Sequence, residues 1–211
     1  MGGFGPDFTI ELDAMRTGMR HVCGIDEAGR GPWAGPVVAA AVMFHGAHEI
    51  PSGLNDSKQL SRRARDACYS ALITANIAHG IGIATAEEID ALNIWGATQL
   101  AMRRAVEALP TAPDIALVDG KIHPKPFMCP THTIIGGDGV SLSIAAASIL
   151  AKVTRDRLMD ALAEQYPLYG FESHAGYGTK QHREALALHG PCPAHRRSYA
   201  PIRALLETVA A

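Results

Sequence analysis

Residues 24–42, GIDEAGRGPWAGPVVAAAV, limit what this chain can fold into more than any other stretch. A short apolar run ends in two adjacent carboxylates, Asp26 and Glu27, crosses a turn containing Gly29, Arg30 and Gly31, and re-enters an apolar run. Two strand-length runs joined by a glycine-rich turn read as adjacent antiparallel strands, His21 to Asp26 and Pro36 to Phe44. On an ideal strand neighbouring side chains point to opposite faces. Asp26 and Glu27 are therefore expected to share one site only if the chain bends at Glu27, which the glycines permit. The G-x-G pair also suggests nucleotide binding, but G-x-G-x-x-G is not completed and the turn leads into a strand instead of a helix.

Further strands are expected at Ile77 to Ala84, where apolar residues alternate, and at Ile115 to Val118 and His132 to Ile135. Helices fit Ser61 to Ala75, opened by an N-cap serine, Ile94 to Leu109, Ser141 to Tyr166, and most of the chain from Thr179 onward. The resulting class is α/β, a mixed sheet flanked by helices. With 47% hydrophobic and 19% charged residues and no repeat or linker, the 211 residues read as one folded unit. No apolar run approaches the ~18 to 20 residues of a membrane span, and the first residues lack a secretory signal. A cytoplasmic protein without membrane contact is expected, and it is taken as a monomer.

Cys23, Cys68, Cys129 and Cys192 lie far apart and read as free thiols. One competing pattern is a zinc tetrad from Cys129, His132, Cys192 and His195, should those segments converge.

Asp119 closes the run IALVDG and Asp138 lies in IIGGDG. Each alone is more often a turn residue or a cap. Aspartates beside glycine at several strand ends together suggest a carboxylate site for a hard cation, Mg²⁺ or Mn²⁺. The net charge is −2, so nucleic acid would have to be held locally. Between His174 and Arg203 the chain carries Lys180, Arg183, Arg196, Arg197 and Arg203 against Glu184 alone, a candidate basic surface.

The blocks GIDEAGRGPWAGPVVAAAV, LNDSKQLS, EIDALNI, LVDG, GGDG, SIAAASILAKVTRDR, HAGYGT and HRRSYAPI, in that order, resemble the signature blocks of the bacterial ribonuclease HII family. They cover roughly residues 20 to 205. The resemblance implies an RNase H-like fold, a five-stranded mixed sheet with flanking helices and a helical C-terminal appendage. It leaves residues 1–19 as an N-terminal extension and 206–211 as a tail. It also implies metal-dependent hydrolysis of the RNA strand of RNA/DNA hybrids, and nicking 5′ of ribonucleotides embedded in duplex DNA, with 5′-phosphate and 3′-hydroxyl products.

Matched to the family's pattern, Asp26, Glu27, Asp119 and Asp138 are the catalytic, metal-holding carboxylates. Gly29, Arg30 and Gly31 match the turn whose backbone meets the ribose 2′-hydroxyl, and Tyr177 matches the tyrosine packed on the sugar at the RNA–DNA junction. Ser57, Lys58, His174, Lys180, Arg183, Arg196 and Arg197 complete the expected substrate contacts. Asp156 reads as structural, one helical turn from Lys152. Two departures are Ala175, where the family commonly has lysine, and Trp33, where it commonly has leucine. Four carboxylates with no resident base or thiol nucleophile suit in-line attack by a metal-activated water. An inactive hybrid-binding module would gain nothing from clustered acids near phosphates, and a DNA nuclease of the same fold has no use for a turn that reads 2′-hydroxyls.

Overall fold

The computed structural model describes residues 5–121, 123–124 and 127–210. Five strands form one sheet: β1 (Val22–Ala28), β2 (Val37–Met43), β3 (Ala78–Ala84), β4 (Ile115–Asp119) and β5 (Thr131–Ile134), in spatial order β3-β2-β1-β4-β5. The pairs β1–β2 and β2–β3 are antiparallel, whereas β1–β4 and β4–β5 are parallel. This is the expected mixed sheet. The apolar run of β2 is continuous because both of its faces are covered, as for a central strand between helix layers. Val37, Ala39, Ala41 and Met43 enter one core with Ala97, Ala101 and Ala105 of α3 (Ala86–Glu107). Ala40 and Val42 enter the opposite core with Ala146, Ala147 and Leu150 of α4 (Leu142–Gln165).

Small residues set how closely these layers approach. A Cβ on Gly24 of β1 would lie 2.2–2.3 Å from the backbone of Ser143 and Ile144, so α4 starts directly against the middle strand. The start of α4 is fixed by Ser141, whose hydroxyl accepts from the Ile144 amide, and by Glu11. Glu11 is fully buried and its carboxylate accepts from the Ser143 amide and from the hydroxyls of Ser141 and Ser143. A carboxylate at a helix N-terminus offsets the orphan amides and the helix dipole there.

Glu11 belongs to α1 (Thr9–Arg16), and Phe8 just before it meets Phe44 edge-on at 6.2 Å. The first nineteen residues, expected as an extension, thus contribute a helix seated on the core. At the other end α7 (Ala200–Ala210) runs through the boundary expected at 205.

Helix α2 (Arg62–Thr74) begins at Ser61 as expected. Helix α3 begins eight residues before the expected Ile94. Thr85 and Glu88 form a reciprocal capping box, and Arg104 clamps Glu88 at 2.7 and 2.8 Å. The helix then breaks at Asn93 (φ 58°, ψ 169°), whose Oδ1 re-caps it by accepting from the Trp95 and Gly96 amides. The expected start marks this second segment.

A third core builds the C-terminal part. Met159 and Ala163 of α4, Phe171 of α5 (Phe171–His174), Leu186 of α6 (Lys180–His189) and Ile202 of α7 pack around Ala34 and Tyr169. The appendage is therefore joined to the sheet through residues 33–36, the far side of the glycine turn. No helix among the described residues is long and apolar enough to cross a membrane.

Candidate active site

Strand β1 does not bend at Glu27. The ladder to β2 continues through Glu27↔Ala39 and Ala28↔Val38, past the point where pairing with β4 ends at Ile25↔Val118. The two carboxylates leave opposite faces, and what gathers the acids is the strand end. The parallel β1–β4 register reaches Ile25↔Val118, so Asp119, the last residue of β4, comes level with Asp26. Asp138 arrives from a 3₁₀ turn, Gly137–Gly139, that is tied back by the Gly137 amide donating to Asp119 Oδ1 at 2.7 Å.

Asp26, Glu27 and Asp119 border a cleft of about 320 Å³ together with Gly29, Arg30, Gly31, Ser57, Lys58, Lys152, Arg155 and Tyr177. Burial pushes the Asp26 carboxyl well above the usual range, and the charges of Glu27, Asp119 and Asp138 push it the same way. Glu27 is also raised by burial, opposed by Arg30 at 3.2 Å. Asp138 is raised by burial and opposed by Lys58, whose ammonium lies 3.1 Å away. Partial burial pulls Lys58 down, but its bond to Asp138 and the charges of Asp138, Asp26 and Asp56 outweigh this and hold it above its ordinary value. Every donor in the cluster is a hard carboxylate oxygen, the set that suits Mg²⁺ or Mn²⁺. As the side chains stand, no three of them among the described residues meet at one ligating point. Two of the acids are held instead by cationic neighbours.

The glycine turn forms one wall. Gly29 has φ +100°, and a Cβ there would lie 2.0 Å from Arg155 Nε. Gly31 faces the Tyr177 ring, with its Cβ position 3.4 Å from that ring. Tyr177 is half exposed, following Ala175 (φ 47°) and Gly176 (φ 81°) in a left-handed turn. Alanine tolerates that conformation poorly, so Ala175 carries backbone strain where it stands. Trp33 packs on Gly178 and on the His182 ring at 5.8 Å, and its amide donates to Gly176 O at 2.8 Å. The bulky departure from the family pattern thus joins the two turns.

The expected substrate contacts divide by exposure. Lys180, Arg183 and Arg197 are exposed, with Arg183 also donating to Gly178 O at 2.6 Å. Ser57 is buried beneath the cleft, its amide 3.4 Å from Ser148 Oγ. Arg196 departs from expectation. It is fully buried, and its guanidinium donates to the carbonyls of Gly29, Arg30, Gly35 and Pro36. It has no face to offer a phosphate. His174 is likewise buried, its Nδ1 accepting from the Gly176 amide and its Nε2 facing Tyr169 O.

Arg155 was not singled out by sequence reasoning, although a signal existed. Ile144, Ser148, Ala151, Arg155 and Met159 recur at helical spacing, and all are buried. Asp156 pairs with Lys152 at 2.7 Å. The zinc pattern does not form. Cys129 packs with the α3 core and Cys192 with the C-terminal core, and all four cysteines are free.

Residues 23–202 match the family described as Ribonuclease HII. The chain belongs to the ribonuclease HII family. A "Ribonuclease HII" of Parvibaculum lavamentivorans is 55% identical over 205 residues, covering 95% of this chain and 74% of that one. The crystal structure of the ribonuclease H2 from Pyrococcus horikoshii superposes with a TM-score of 0.71 at 26% identity, covering 90% of this chain and 99% of that one. Bst-RNase HIII in complex with Mn²⁺ gives a TM-score of 0.69 at 20% identity over 99% of this chain and 76% of that one, a likeness of fold. As a member of this family, the chain is a type 2 ribonuclease H, an endoribonuclease of RNA/DNA hybrids, and the family is divalent-metal dependent.

Proposed function

We propose that Asp26, Glu27, Asp119 and Asp138 hold Mg²⁺ or Mn²⁺ and that the cleft cuts on the 5′ side of a ribonucleotide, including a single one within duplex DNA. The observation that carries this reading is the position of Asp26 and Asp119 on adjacent parallel strand ends, bordering the same cleft as Gly29, Gly31 and Tyr177. Burial first, and then the charges of Glu27, Asp119 and Asp138, raise Asp26, and a bound cation would relieve that repulsion. A divalent ion there would make a hydroxide nucleophile available near neutral pH and stabilise the leaving 3′-oxygen.

The chain's own residues supply the rest. Lys58 and Arg30 are already in ion pairs with the acids, and each is free to turn to a substrate phosphate when a cation replaces it. Amides of the glycine turn meet the 2′-hydroxyl, where a side chain would block approach. Tyr177 packs on the next deoxyribose. Lys180, Arg183 and Arg197 hold the duplex backbone without reading sequence. Ser57 and His174 act from beneath, the first under the cleft floor and the second by fixing the turn before Tyr177.

The test is cleavage of matched duplexes with Mg²⁺ or Mn²⁺, with product ends mapped: all DNA, DNA with one ribonucleotide, and continuous hybrid. The expected result is a nick 5′ of the lone ribonucleotide and none in the all-DNA control. Tyr177→Ala should impair the junction substrate more than the hybrid, which binds in many registers, and Tyr177→Phe should keep most activity. Cutting confined to runs of several ribonucleotides would refute the junction reading.

A further inference from the structure

Two arginines, Arg155 and Arg196, are buried at 1% and 0% exposure, and among the described residues their hydrogen bonds go to backbone carbonyls, a sulfur and a tyrosine hydroxyl, with no carboxylate partner. Arg155 donates to Pro36 O, Ala34 O and Ala175 O, which ties the base of the glycine turn to the turn before Tyr177. Arg196 reaches the tip. It donates to Gly29 O at 2.6 Å and to Arg30 O at 3.0 Å, and the Tyr199 hydroxyl donates to Arg30 O at 2.6 Å. Tyr199 in turn accepts from Arg196 at 3.0 Å.

A trans peptide is planar, with its carbonyl and its N–H on opposite sides. Anchoring the carbonyls of Gly29 and Arg30 on Arg196 and Tyr199 therefore turns the amides of Arg30 and Gly31 the other way, away from the arginine. Among the described residues neither amide is taken by a protein acceptor. A carbonyl that accepts from a cation also polarises its own peptide, making the attached N–H a stronger donor. The guanidinium thus aims two donors and sharpens them without touching any ligand.

We propose that Arg196, assisted by Tyr199, is a positioning residue for ribose discrimination, holding the amides of Arg30 and Gly31 towards a 2′-hydroxyl. The proposal rests on the reading that this turn senses the ribose. It replaces the phosphate contact expected of Arg196 with a role exerted through the backbone.

The test compares Tyr199→Phe, Arg196→Lys and Gly31→Ala by two readouts. One is kcat/KM on a duplex bearing one ribonucleotide, and the other is Kd for the all-DNA duplex of the same sequence. Tyr199→Phe removes one donor and keeps the ring, so it serves if Arg196→Lys fails to fold. Tyr199→Phe should lower kcat/KM roughly fivefold, the worth of one hydrogen bond, with all-DNA Kd unchanged. Arg196→Lys, which cannot reach four carbonyls at once, should lower it more. Equal losses in kcat/KM and all-DNA affinity, or no loss with Tyr199→Phe, would overturn the proposal. Gly31→Ala separates the layers: impaired by Gly31→Ala but indifferent to Tyr199→Phe and Arg196→Lys, the enzyme would keep a ribose-sensing turn without this device. Indifference to Gly31→Ala as well would overturn the turn's role and the proposal with it.

Discussion

Acidification should destabilise the C-terminal part through two buried histidines, His182 and His195, whose tautomers are dictated by fixed backbone partners. The Cys192 amide donates to His195 Nδ1 at 2.9 Å, so His195 carries its proton on Nε2 and donates to His182 Nε2, also at 2.9 Å. His182 must then be protonated on Nδ1, which donates to Tyr177 O at 3.0 Å. His174 stacks on His182 at 4.6 Å, with its Nδ1 already accepting. The His182 and His195 rings are neutral with both nitrogens engaged, and an extra proton on either sets donor against donor. Burial first, then the neighbouring histidines, pushes His195 down to about 4, and His182 is lowered for the same first reason.

The sign follows from linkage. A histidine with a depressed folded pKa contributes stability that is complete above ~6.5 and is lost as pH falls towards 4, because only the unfolded chain takes up the proton. Between pH 7.5 and 5, His195 alone should cost about 2 kcal/mol, or about 4–8 °C in Tm for a chain of this size. The raised carboxyls of Asp26, Glu27 and Asp138 act in the opposite direction, so the comparison needs a variant. His195→Asn can still accept from Cys192 but cannot titrate. Calorimetric Tm across this range should fall less steeply for His195→Asn than for the natural chain. Parallel slopes would refute the reasoning.

Asp26→Asn or Asp119→Asn should lower turnover by more than the roughly 10–100-fold typical of a metal ligand's supporting partners, while hybrid affinity by anisotropy stays within a few-fold. Gly24→Ala sets a Cβ against the first turn of α4 and should destabilise by ~3 kcal/mol in urea unfolding, near the top of the range for overpacking. Replacing Lys180, Arg183 and Arg197 with alanine should weaken binding to every duplex alike and flatten the plot of log affinity against log salt by nearly one unit per true phosphate contact. An unchanged slope would make them a solvated face.

The strands were legible because period and length separate them from helices, and the acids because carboxylates at apolar strand ends are conspicuous. The first eight residues of α3 were not, since the left-handed Asn93 interrupts the helical period and hides the capping box upstream. Nor was Arg196, because charge counted along a sequence looks the same whether the guanidinium meets water or five oxygens in a core. Arg155 stands between these cases. It drew no reading of its own, although its spacing from Ile144, Ser148 and Met159 marks the buried stripe.

The parallel register of β1 on β4 also separates the sheet into a local half and a distant half along the chain. Val22 pairs with Ile115, whereas β1, β2 and β3 form a meander from the first 84 residues. During synthesis that meander can close while Asp119 and Asp138 are still being added, as local contacts form ahead of distant ones. Two of the four acids therefore arrive after the antiparallel half is available to receive them. The contacts between β1, β2 and β3 are thus free of the repulsion that Asp119 and Asp138 bring to Asp26.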